Sequence, residues 1–183
     1  MAKITSSKGF TLVELLVVIA ILGILSIGLI VSINPLEKLA QSRDTVRKNS
    51  LGQIQSALES YLIKYGRYPQ TPSSGWCGAP SSPYTSCGAD YIPGLVSSRE
   101  LKVLPQDPSV GKRVNCSATH TTFLYRSTGT DYKLLAYCAL ESKSGKDSCT
   151  AAKISAGTQD PRCDPVRPSH SWAIWSSPSS RNW

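Results

Sequence analysis

Histidine, phenylalanine and acidic residues are scarce in this 183-residue chain, with 2 His, 2 Phe and 12 Asp plus Glu set against 20 Lys plus Arg. His120 and His170 lie far apart and outside any nucleophile motif, and the many loop serines follow from composition alone, so no acid–base or nucleophilic constellation is evident. A phosphate-binding glycine loop is missing as well. Together these absences argue against an enzyme. The formal net charge of +8 raises nucleic acid or acidic lipid as partners. Lys3 and Lys8 fall at the extreme N-terminus, however, and the remaining cations are scattered. No basic run is interleaved with aromatics, which leaves no dedicated nucleic-acid site. No Cys-x-x-Cys pair occurs, which argues against a closed zinc site. Internal repeats of useful length are absent too.

What is present is unevenly distributed. Apolar residues crowd into the first third, and the remainder is polar and turn-rich with a modest core. The length suits one ordinary domain plus an appendage. All 6 cysteines, Cys77, Cys87, Cys116, Cys138, Cys149 and Cys163, lie beyond the apolar third. An even number confined to an exported region favours disulfides, which persist outside the cytoplasm and support domains with small cores. Six cysteines allow 15 connectivities. Nearness suggests Cys77 with Cys87 and Cys149 with Cys163, leaving Cys116 with Cys138.

Residues 1–9 are short, polar and basic, and the stretch 10–33 that follows carries a single charge, Glu14. As a helix it reaches about 36 Å, enough to cross a hydrocarbon core of about 30 Å. It is too long for a secretory signal and lacks a small-x-small site after it. Lys3 and Lys8 ahead of the span orient the N-terminus towards the cytoplasm and the body outside. Asn34-Pro35 interrupts the run, since proline lacks an N–H donor and restricts the residue before it. An amphipathic helix then covers 34–66, with Leu36, Leu39, Ala40, Val46, Leu51, Ile54, Ala57, Leu58, Tyr61, Leu62 and Tyr65 on its apolar side. Glu37, Lys38, Arg43, Asp44, Lys48 and Gln55 fill its other faces. Gly66 and Pro69 stop it. Joined, the two helices make a rod of about 84 Å.

Residues 68–108 read as a long loop rich in Pro, Ser and Gly, with a short helix over 93–98. Residues 122–126 and 131–138 form two strands around a turn at Gly129, and 171–176 forms a third. The tryptophans Trp76, Trp172, Trp175 and Trp183 belong to the core of such a small sheet.

Glu14 needs an explanation, because a carboxylate in an apolar span costs on the order of 2.5 to 3.5 kcal/mol near its centre. A cut after Gly9 would create an α-amino group at Phe10, about one helical turn from Glu14. The amine of a neighbouring subunit could neutralise the acid, supplying registry more than stability, since desolvation offsets much of the attraction. The segment Lys8-Gly9-Phe10-Thr11-Leu12-Val13-Glu14-Leu15-Leu16-Val17-Val18-Ile19-Ala20 resembles the N-terminal signature of type IV pilins and type II secretion pseudopilins. Farther along, Tyr65-Gly66-Arg67-Tyr68-Pro69 and Leu104-Pro105-Gln106-Asp107-Pro108 look like segments of the major pseudopilin and related pilins.

The resemblance implies cleavage between Gly9 and Phe10 by prepilin peptidase, N-methylation of Phe10, and Glu14 as the assembly glutamate. It also implies that Gly23, Gly28 and Pro35 are helix-weakening positions. Major pseudopilins often hold calcium through a late acidic loop, where this chain has Asp147, Asp160 and Asp164; otherwise no cofactor or metal is expected. The expected fold is α+β and pilin-like. A leader (1–9) and a filament-core helix (10–33) precede the amphipathic helix (34–66), and the exported head (67–183) holds a small antiparallel sheet in a disulfide-bonded region. The expected role is a filament subunit, with copies of itself and the inner-membrane assembly machinery as partners. It would reside first as a single-pass precursor and then in an extracellular or periplasmic filament. The alternatives are a major pseudopilin acting in secretion and an anchored binding module that never polymerises.

Overall fold

A computed structural model describes residues 9–78, 87, 90–109, 122–150, 161–166 and 170–183, without the side chains of 29–32, 74 and 122. The chain divides into two compact units, Met1–Lys38 and Leu39–Trp183.

In the first unit, helix α1 runs Leu12–Ile33, 22 residues. Its sequence is almost wholly aliphatic, so few polar side chains compete for the backbone, while its many Val and Ile and the two Gly lower its intrinsic propensity. Thr11 in extended geometry caps its start. Gly23 and Gly28 lie inside it without interrupting it. The helix ends at Asn34, whose φ of 47° is left-handed, a conformation asparagine tolerates better than most residues. Pro35 then opens α2, Pro35–Tyr65, where its missing N–H costs nothing. Asn34 serves both helices, its carbonyl accepting from the Glu37 and Lys38 amides at 3.1 and 3.2 Å. Among the described residues no helix is long and apolar enough to cross a membrane.

The second unit is built on the part of α2 from Leu39 onwards. Ala40, Asp44, Arg47, Ser50, Leu51, Ile54, Ala57 and Leu58 are buried, at the three- and four-residue steps of one helix face. The expected apolar stripe therefore holds only for the later turns. Leu36, Leu39 and Val46 are exposed, and the face turned inward near the start carries Asp44 and Arg47 instead. Asp44, expected on a solvated face, is thus a buried residue. The helix ends with Gly66 at φ 69°, its amide returned to the Leu62 carbonyl at 2.8 Å.

Four antiparallel strands pair in chain order: β1 Cys77–Gly78, β2 Thr122–Ser127, β3 Tyr132–Tyr137 and β4 Trp172–Trp175. The β2–β3 hairpin turns through Gly129 at φ 97°, with Ser127 Oγ accepting the Gly129 amide at 3.0 Å. Alternation along the strands makes two faces. Phe123, Tyr125, Tyr132, Leu134, Ala136 and Ile174 share the main core with Leu51, Ile54 and Leu58 of α2. Tyr91, Ile92, Leu95 and Leu104 from the intervening loop complete it. Each fully buried leucine or isoleucine there contributes on the order of 1.5 to 3 kcal/mol. On the other face Leu124, Leu135 and Ala173 pack under Trp76, Tyr137 and Trp175.

Short helices α3, Lys143–Ser148, and α4, Pro178–Arg181, were not expected from the sequence. The helix expected over 93–98 is instead a series of turns, because Gly94 at φ 82° breaks the helical path. Disulfides join Cys77 to Cys87 and Cys149 to Cys163. Cys138 is also disulfide-bonded, and Cys116, its expected partner, lies outside the described residues.

Candidate functional site

The first polar group of α1 lies at its N-terminus. Thr11 Oγ1 accepts the Glu14 amide at 3.2 Å, while Glu14 Oε2 accepts from the Thr11 amide at 3.0 Å and from Thr11 Oγ1 at 2.8 Å. This reciprocal capping satisfies donors that a helix start leaves open. The carboxylate thus stays next to residue 10, on a helix whose aliphatic side chains are exposed along its described length. Phe10 is itself 80 % exposed. Gly9 has open space around its α-carbon, so the Gly9–Phe10 bond is not buried beneath other groups of the described chain.

A second cluster was not anticipated. Arg47 is fully buried and makes a two-point contact with Asp107, Nε to Oδ2 at 2.8 Å and Nη2 to Oδ1 at 3.0 Å. Its Nη1 reaches Asp44 Oδ1 at 3.0 Å, and Nη2 also donates to Glu141. Glu141 is held in turn by Arg43 and by Ser109 Oγ at 2.7 Å. Asp44 accepts the Glu141 and Ser142 amides at 2.8 and 2.9 Å. Burial opposes the Arg47 charge, but Asp107 and Glu141 outweigh it and raise its pKa. Burial likewise works to raise the Glu141 pKa, and hydrogen bonds from Arg43, Arg47 and Ser109 overcome it, lowering the pKa from 4.5 to about 2. The cluster ties α2, the loop at 107–109 and the segment after β3 into one block. Every carboxylate in it is already engaged, which marks a structural tie and not a reaction centre.

The late acids are dispersed. Asp164 is buried, with Oδ1 taking Lys133 Nζ at 2.8 Å and the Val166 amide at 3.0 Å. Asp147 is an exposed residue of α3, and Asp160 lies outside the described residues. Among the described residues no group of three or more His, Cys, Asp or Glu could hold a metal ion. The Trp172 ring packs on the main core and the Cys149–Cys163 region, as expected of a core tryptophan, and Lys48 Nζ lies 4.1 Å from its centre.

Comparison with known proteins bears on the N-terminal cluster first. Residues 4–30 match the family model of the prokaryotic N-terminal methylation motif. The type II secretion system core protein G of Klebsiella michiganensis is 32% identical over 103 residues, covering 56% of this chain and 68% of that protein. The chain belongs to the type IV pilin and type II secretion pseudopilin family. Members of this family are structural subunits, so the chain is not an enzyme. In this pilin-family chain, Gly9, Phe10 and Glu14 all fall inside the matched motif. No solved structure matches the chain.

Proposed function

We propose that this chain is a prepilin, cut between Gly9 and Phe10, N-methylated at Phe10 and polymerised into a helical filament. The observation that carries the reading is the single carboxylate of the apolar helix, held by Thr11 one turn from the new amine. After cutting, the α-amino group of one subunit and Glu14 of another form an ion pair that fixes the axial register. Identical subunits joined through a non-closing contact give an open filament. The stretch 10–33 anchors the precursor in the inner membrane and, after extraction by assembly machinery, forms the filament core. Gly23, Gly28 and Asn34-Pro35 are the positions where that helix gives way during packing.

The match to a type II secretion core protein supports a periplasmic pseudopilus as a second reading.

Intact-mass analysis of protein purified from its own host tests the processing step. The expected result is loss of residues 1–9 and gain of one methyl group. A full-length, unmethylated chain would instead indicate an anchored module that does not polymerise. Deletion separates the two filament readings: a pseudopilus subunit is required for protein export, whereas a surface pilin is required for filaments seen on cells.

A further inference from the structure

The outer face of the sheet, turned away from α2, carries two cations that no described residue neutralises. Arg126 on β2 stands across from Lys133 on β3, and Lys133 stands across from Trp175 on β4. Lys133 Nζ, fully buried, donates to Asp164 Oδ1 at 2.8 Å and to the carbonyls of Arg181 and Trp183 at 2.8 and 3.0 Å. Those bonds draw the segment 181–183 over the sheet. As a result the Arg126 guanidinium lies 4.9 Å from the Trp183 ring centre, and that of Arg181 lies 5.5 Å from Trp175.

Neither guanidinium forms an ion pair among the described residues. The Nε atoms of both are buried without a hydrogen-bond partner. Acids on the same side are engaged elsewhere, Asp164 with Lys133 and Asp131 with Ser176 Oγ at 3.2 Å. The contrast with Arg47, whose donors meet three carboxylates, is plain. A guanidinium beside an indole keeps its charge, and its terminal nitrogens can donate to a carboxylate.

We propose that Arg126 and Arg181 form a binding site for carboxylate-bearing sugar units of an acidic polysaccharide. Charge complementarity sets the sign of the ligand. Trp175 is a poor platform for a nucleic acid base, because it packs on Leu124, Leu135 and Ala173 and is also approached by Arg181. The segment carrying Arg181 offers a side-chain amide instead, from Asn182, which is exposed beside it. A side-chain amide both donates to and accepts from a sugar hydroxyl.

The test uses the full-length protein in nonionic detergent, with binding read by tryptophan fluorescence and calorimetry. The probes are hexagalacturonate, neutral maltohexaose and hexathymidylate. Hexagalacturonate is expected to bind while maltohexaose does not. The double variant Arg126→Gln/Arg181→Gln is expected to bind at least about tenfold more weakly, the loss of two charge-assisted contacts. Lys48→Gln removes an exposed cation outside the patch and is expected to bind as the parent does. If the double variant melts early, Arg126→Lys and Arg181→Lys decide, since each keeps its charge and loses the fork; parental binding in both overturns the proposal. So does absence of hexagalacturonate binding, an equal loss in Lys48→Gln, or tighter binding of hexathymidylate.

Discussion

Arg47 is the residue on which the second unit depends most. Its guanidinium is fully buried among Asp44, Asp107 and Glu141, so truncation leaves three carboxylates short of their cation. Removing one partner of a buried ion pair typically costs about 3 to 5 kcal/mol. Arg47→Ala is therefore expected to lower stability by about that amount in chemical denaturation, with the loop 104–109 becoming the first site of proteolytic cleavage. A loss under about 1 kcal/mol would show that the cluster is not the tie described. Gly145 probes the same block from the α3 side. A β-carbon there would sit 2.8 Å from both Asp44 Oδ2 and Ser142 Oγ. Gly145→Ala is expected to destabilise by about 1 to 3 kcal/mol despite its better helix propensity, read as a shift in the denaturation midpoint. A neutral or stabilising outcome would mean that the Ser142–Asp44 contact yields without cost. Neither residue stood out in the sequence. Asp44 lies three positions from Arg47, but Asp107 and Glu141 lie 60 and 94 positions away, and no local pattern encodes those contacts, which only the tertiary fold makes.

At the level of elements, the legible parts are those set by local chemistry. The break at Asn34-Pro35 and the Gly129 hairpin each declare themselves within a few residues, and each is found where the sequence put it, whereas the Thr11–Glu14 cap was not expected. Helices α3 and α4 span 6 and 4 residues, too few to show a 3.6-residue period. The stripe of α2 misled for another reason: apolar residues in its early turns are exposed while an ion cluster occupies the inner side. That cluster makes the joint between α2 and the segment after β3 sensitive to acid. Glu141 has its pKa lowered to about 2 from 4.5. Its stabilising effect is complete above the unfolded value and disappears as pH falls from about 4.5 towards about 2. Thermal melts of the parent and Glu141→Gln should differ most at neutral pH, draw together as pH falls from about 4.5, and converge only below about 2. A gap that stays constant with pH would remove the charge of Glu141 from the account.

For the whole molecule, in the filament proposed above, the deciding quantity would be one charge per subunit. An apolar helix can slide against its neighbours with little change in burial, because aliphatic side chains pack comparably in several registers. A lone carboxylate among such helices removes that freedom, since its energy is acceptable only where an amine meets it. In the proposed filament the charge would select one axial offset, repeated from subunit to subunit. Glu14→Ala leaves the apolar run intact, so membrane insertion and removal of residues 1–9 should proceed as in the parent. Filament yield should fall at least about tenfold, the factor that corresponds to about 1.4 kcal/mol lost from one subunit contact. Sheared-surface fractions counted by electron microscopy, beside immunoblots of the membrane fraction, separate the two steps. Normal filaments from the variant would show that register comes from shape alone. Thr11→Ala supplies the finer comparison, because it leaves the Glu14 charge in place and removes the hydroxyl that holds it. If Glu14 acts through its charge, the Thr11 variant keeps more filaments than Glu14→Ala does, and equal loss in the two would assign the effect to the helix cap.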